Sequence, residues 1–125
     1  MAQPQPLHKA VLRLQDGTEF HGLAAGAQAT VTGELCFNTA MAGYQETFSD
    51  PSYTGQMLVM THAHIGNYGI IEGESESKGP TLRALICRNY SGNQTDLRPG
   101  SQALDPWLSE AGVPVIYNID TRALV

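Results

Sequence analysis

The apolar residues of this chain come in runs of strand length, each closed by residues that turn the backbone. Ala10–Leu14, Met57–Thr61 and Val115–Tyr117 are the clearest examples. Runs of about four to eight residues suit strands, whereas an amphipathic helix announces itself by a longer 3.6-residue period. Thr81–Arg88 reads as strand or helix by itself. Gly79-Pro80 opens it and Asn89 to Asn93 closes it within strand length, which decides for strand. Asp16-Gly17 falls between Ala10–Leu14 and Glu19-Phe20-His21, and Asp-Gly between two strand-like runs predicts a hairpin. Thr30–Phe37 reads as a further strand, with Val31, Leu35 and Phe37 directed inward.

Helix signals are fewer. Asp105-Pro106 suits an N-cap followed by the first helical position, in a helix that carries Trp107 and Leu108 and stops at Gly112. Asp120 caps a second helix, of which five residues are present. Many short strands with one or two helices predict a β-rich α/β domain. The length of 125 residues fits one such domain, 1–125, and 42% hydrophobic against 15% charged residues is enough apolar material for one core. Residues 1–7, rich in Pro and Gln, read as a flexible arm.

Composition also excludes function classes. The net charge is −5, seven Lys+Arg against twelve Asp+Glu, and no basic cluster occurs, which argues against a nucleic-acid partner. No apolar run approaches the roughly 20 residues that span a bilayer, so no membrane association is expected. The start shows no basic region followed by an apolar stretch, hence no secretory leader is expected. Cys36 and Cys87 are isolated and suit a reducing cytoplasmic compartment better than a disulfide framework, though a bridge stays open.

Chemistry-bearing patterns are sparse. Neither Cys sits in a Gly-x-Cys-x-Gly setting, and both read as core thiols. His62 and His64, two apart after an apolar strand, would share a face, but a metal site needs three or four ligands and the ordinary reading is a strand-end pair. Glu72, Glu74 and Glu76 lie in a polar stretch that lacks the spacing of a calcium loop and reads as a solvated loop. No phosphate-binding loop or dinucleotide fingerprint occurs, so no cofactor is expected.

Residues 38–56 remain. They resist any periodic reading, and a long irregular segment inside a compact domain is more often functional than filler. The segment holds polar side chains able to orient a ligand (Asn38, Thr39, Gln45, Glu46, Ser52) among residues that fix the backbone (Gly43, Pro51, Gly55). Asp50-Pro51-Ser52-Tyr53 is a turn by mechanism, with Asp at its first position and Pro presetting φ at its second. A merely structural turn is the competing reading.

These residues carry a resemblance. Gly33-Glu34, Phe37-Asn38-Thr39, Met41, Gly43-Tyr44-Gln45-Glu46, Asp50-Pro51-Ser52-Tyr53, Gly55-Gln56, the apolar strand and Ile65-Gly66-Asn67 occur in the order of the signature region of the carbamoyl-phosphate synthetase small-chain amino-terminal domain. Leu14–Gly22 is similar to that family's opening hairpin, and Asp120-Thr121-Arg122 to its Asp-Thr-Arg element. The sequence departs from the family at His62-Ala63, where Tyr-Pro is common, and it stops where the family continues, so the resemblance implies a domain truncated at its C-terminal end.

The resemblance implies a β/β/α, swivelling-domain-like layering. It implies a subunit that hydrolyses glutamine with a Cys-His-Glu triad and passes ammonia to a large subunit. That large subunit makes carbamoyl phosphate from bicarbonate and ATP, for arginine or pyrimidine biosynthesis. The family keeps its triad in the carboxy-terminal glutaminase domain, so no catalytic residue is expected here. This domain is expected to dock the large subunit and close one side of the glutamine site. The Ser of Asp-Pro-Ser-Tyr contacts glutamine in the family, which maps to Ser52. Two other readings stand beside it: a stand-alone β-rich interaction module, and a small enzyme using His62, His64 or Cys36.

Overall fold

The computed structural model describes residues 8–39, 44–66, 70–71, 79–92 and 101–124. Its core begins at two central strands, β4 (Met57–Ile65) and β6 (Ala84–Tyr90), which pair in parallel with Leu58 opposite Leu85 and Met60 opposite Cys87. Leu58, Val59, Leu85, Ile86 and Cys87 are all fully buried, which requires cover on both faces of the sheet. That is why these runs are continuously apolar rather than alternating.

Around them stand β8 (Pro114–Tyr117), parallel to β6, and β3 (Leu35–Asn38), parallel to β4. The hairpin of β1 (His8–Arg13) and β2 (Glu19–Gly26) joins antiparallel to β8, giving the order β1-β2-β8-β6-β4-β3. A separate antiparallel pair forms from β5 (Ile70–Ile71) and β7 (Ser101–Gln102). Parallel neighbours need crossover connections. Helix α1 (Tyr44–Ser49) and a 3-10 turn (Pro51–Tyr53) link β3 to β4, and α2 (Leu104–Glu110) precedes β8.

Alternate residues of the central strands feed two clusters. Leu58, Met60, Leu85 and Cys87 pack with Tyr44 and Phe48 of α1 and with Leu104 and Leu108 of α2. Val59, Ile86 and Ile116 pack with Leu12, Ile119 and Leu124, the last from α3 (Thr121–Leu124). The architecture is the expected mixed α/β, β-rich layered domain.

Local signals behave as their chemistry dictates. Asp16 accepts from the Thr18 amide at 2.9 Å, and Gly17 takes φ 92°, a region costly for any residue with a Cβ. Helix α2 ends in a Schellman arrangement: Gly112 has φ 76°, its amide donates to Ser109 O at 3.1 Å, and Val113 N donates to Leu108 O at 3.0 Å. Asp120 Oδ1 accepts from the amides of Arg122 and Ala123, both at 3.2 Å, as an N-cap should.

Four expectations need correction. Residues 38–56 are not wholly irregular, because α1 forms within them. Its six residues are too few to show a period, and packing of Tyr44 on Phe48, with ring centroids 5.6 Å apart, supports it instead. The chain therefore has three α-helices and a 3-10 turn among its described residues, rather than one or two helices.

The third strand starts at Leu35, not Thr30, and Phe37 is 41% exposed rather than inward. Among the described residues it lies on an edge strand, paired with β4 on one side. Helix α2 starts at Leu104, so Asp105 is a helical residue and not the N-cap. Its carboxylate instead accepts from Gly26 N at 2.8 Å and Tyr90 Oη at 2.7 Å, tying α2 to β2 and β6. The arm at 1–7 and the acidic stretch 72–78 lie outside the described residues.

Ile86→Val removes one methylene from a position without exposure on either side, so stability is expected to fall by about 1 kcal/mol. A urea melt of the chain should show a lower midpoint at unchanged slope. An unchanged midpoint would contradict burial of β6 on both faces.

Candidate functional site: the Asp50–Tyr53 turn

The turn follows α1 and is built from its own sequence. Asp50 sits at φ −70°, ψ 122° and caps it, its Oδ1 accepting from Ser52 N at 2.9 Å. Pro51 occupies the first helical position, where a missing N–H costs nothing. Tyr53 N donates to Asp50 O and Thr54 N to Pro51 O, both at 3.1 Å, while the Thr54 hydroxyl donates to Pro51 O at 2.7 Å. Pro51, Ser52 and Thr54 are exposed, but Tyr53 is half-buried against the first cluster. Asn38 Nδ2 donates to Tyr53 Oη at 3.0 Å and pins the turn to the end of β3.

Among the described residues, the Ser52 hydroxyl makes no hydrogen bond. Its backbone amide is already held by Asp50, which fixes the Cα and leaves the hydroxyl pointing from a rigid base. A hydroxyl donates one hydrogen bond and accepts two, so it can meet either end of a zwitterionic ligand.

The structure sorts the polar residues of 38–56. Asn38 is used internally, and Gln45 is buried with its carbonyl accepting from the Ser49 hydroxyl at 2.7 Å. Thr39 is exposed and Glu46 half-exposed, and neither is brought to Ser52 by a hydrogen bond. Among the described residues of the segment, Ser52 combines exposure with a braced backbone and a side chain that makes no hydrogen bond.

The nucleophile candidates fare as their surroundings require. Cys87 lies in the core, and burial pushes its thiol well above the usual range, so the reactive thiolate does not form. Cys36 is half-buried on β3. The side chain of His62 lies outside the described residues. His64 is exposed at the end of β4, with Nε2 2.9 Å from Ser91 Oγ, a pair that the sequence reading missed because the partners are 27 residues apart.

That pair joins the ends of β4 and β6. Among the described residues no carboxylate meets the other ring nitrogen of His64, and no group of three His, Cys, Asp or Glu gathers to hold a metal. Ser91 N is committed to Ile65 O at 2.7 Å. Tyr90 is likewise no acid–base group: burial, and then its hydrogen bond to Asp105, hold the phenol protonated.

A cleft of about 620 Å³ opens elsewhere, floored by Ile86 and Ile116 and bordered by Met57 and Val31. Among the described residues, His8 and Lys9 are the ionisable groups lining it, with no carboxylate or thiol. It lies over the second cluster, whereas Tyr53 packs on the first.

The sequence as a whole also places the chain among known proteins. Residues 12–125 match the family model described as carbamoyl-phosphate synthase small chain, CPSase domain. The chain belongs to this family. It is 45% identical over 120 residues to the carbamoyl phosphate synthase small chain of Rhodopirellula baltica, covering 96% of this chain and 31% of that one. It is 47% identical over 116 residues to that of Chlorobaculum tepidum, covering 93% of this chain and 31% of the relative. With that of Thermus thermophilus it shares 44% over 117 residues, 94% of this chain and 30% of the relative. The chain thus spans about a third of the length of the relatives it matches. Among the described residues, no helix is long and apolar enough to cross a membrane.

A thiol-alkylating reagent at neutral pH is expected to modify Cys36 first and to leave Cys87 untouched until the chain unfolds. Peptide mass spectrometry of native and urea-unfolded samples checks this. Equal labelling of the two in the native state would contradict the buried, protonated state of Cys87.

Proposed function

We propose that this chain acts as the amino-terminal domain of the glutamine-using small subunit of carbamoyl-phosphate synthetase, closing one side of the glutamine site without performing the chemistry. The observation that carries the reading is the braced turn at Asp50–Tyr53, which offers the Ser52 hydroxyl to solvent while no nucleophile–base–carboxylate set exists among the described residues. Family membership supports it. In this reading a second domain of the same subunit hydrolyses glutamine. The large subunit is the partner that receives the ammonia and joins it with bicarbonate, using ATP, to form carbamoyl phosphate for arginine or pyrimidine synthesis in the cytoplasm. The domain covers 1–125, and in this reading it binds no cofactor of its own.

The physical role of Ser52 follows from glutamine itself. Its α-ammonium and α-carboxylate lose hydration on entering a site and need polar partners there. A hydroxyl on a turn that is already rigid supplies one with little ordering cost, because the loss of freedom has occurred on folding. Such a contact holds the end of glutamine that does not react, so it contributes to binding in ground and transition states alike.

The expected consequence of Ser52→Ala in the full-length subunit, assembled with its large subunit, is a KM for glutamine raised by about threefold to tenfold, with kcat nearly constant. Synthesis driven by free ammonia should be unaffected. Steady-state kinetics with each nitrogen source checks this, and an unchanged KM for glutamine would remove Ser52 from the site.

A further inference from the structure

The Ser52 turn is clasped from outside its own segment. Thr81, in the stretch leading into β6, has its hydroxyl 2.7 Å from Asp50 O, to which it donates, and 3.2 Å from Phe48 O. Its amide donates to Phe48 O at 2.7 Å, and its carbonyl accepts from Gly55 N at 3.2 Å. One residue therefore holds the last turn of α1, the cap of the 3-10 turn and the residue that leaves it. Asp50 O is also the acceptor for Tyr53 N, the bond that closes the turn around Ser52. Thr81 and Tyr53 thus share one carbonyl, and the orientation of that peptide sets where Ser52 projects.

We infer that Thr81 is a positioning residue for glutamine, acting through the Asp50 carbonyl on the Ser52 hydroxyl; this rests on the reading of Ser52 as a glutamine contact. The role belongs to the hydroxyl. The two backbone bonds of Thr81 persist in any substitution that keeps the chain path, so they support the fold, while the hydroxyl bond adds the restraint on the Asp50–Pro51 peptide. Thr81 is half-buried, with its hydroxyl, amide and carbonyl all engaged by Phe48, Asp50 and Gly55. Its effect is confined to the geometry of its neighbour.

The shape of the side chain gives a clean comparison. Valine keeps the branched form and removes the donor. Serine keeps the donor and removes a methyl. A packing role predicts that valine is harmless and serine costly, and a positioning role predicts the reverse.

The test uses the full-length subunit assembled with its large subunit, comparing Thr81→Val, Thr81→Ser and Ser52→Ala. Thr81→Val is expected to raise the KM for glutamine by about threefold to tenfold, the range for loss of one well-placed hydrogen bond, with kcat and the ammonia-driven rate within about twofold of the parent. Thr81→Ser is expected to restore the parent KM. Where Thr81→Val lowers the ammonia-driven rate as well, marking a damaged fold, Thr81→Ala with intact ammonia-driven rate reads the same KM.

A raised KM in Ser52→Ala with a parent-like KM in the Thr81 variants that lack the hydroxyl would overturn the inference and leave the Ser52 reading standing. Thr81→Ser as impaired as Thr81→Val would also overturn it, in favour of packing. A parent-like KM in Ser52→Ala would overturn both.

Discussion

The parallel pairing of β4 with β6 is the constraint on which the rest of the structure depends. Its side chains are buried on both faces, which forces helices and loops to cover both sides of the sheet. Its register also reaches past the strands. Arg83 N donates to Gln56 O at 2.7 Å, one step before Met57 meets Ala84, and Gly55 N then donates to Thr81 O at 3.2 Å. The same ladder that organises the core thus runs into the exit of the Ser52 turn. A surface turn of three residues would otherwise sample several backbone states. Here one end is continuous with the most buried strands of the molecule, and the other is capped by Asp50 and clasped by Thr81.

This continuity gives the proposed contact its rigidity. The turn exposes Ser52 but buries Tyr53, whose ring joins the first cluster and whose hydroxyl accepts from Asn38. Core packing is therefore transmitted to the position of one exposed hydroxyl. Two groups with reactive potential are withheld: Cys87 is protonated by burial, and Tyr90 is held neutral by burial and by its bond to Asp105.

Features set by neighbouring residues were legible in the sequence. Asp16-Gly17, Asp50-Pro51, Gly112 and Asp120 each act through bonds that span a few positions, and each does in the structure what its residue type dictates. The strands β4 and β8 were legible from their continuous apolar runs, and β6 because Gly79-Pro80 and Asn89 to Asn93 bound its run at strand length. What escaped depends on residues far apart in the chain. Helix α1 is too short to have a period and stands on tertiary packing. Phe37 was expected inward because Leu35 and Phe37 alternate correctly, but alternation does not reveal that the strand lies at the sheet edge. Asp105 resembled a cap because its sequence neighbours suit one, whereas its partners Gly26 and Tyr90 come from other elements. Thr81 gave no signal, since a threonine before a strand is commonplace and its target lies 31 residues away.

The central claim is that this chain supplies a binding turn and no catalytic group. It is tested most directly by measuring ammonia release from glutamine by the isolated chain beside the full-length small subunit, each at matched concentration and with fold verified by circular dichroism. The account predicts release by the full-length subunit and none above the uncatalysed background from the isolated chain. Sustained release from the isolated chain, proportional to its concentration, would contradict the account and return attention to His64, Ser91 and Cys36.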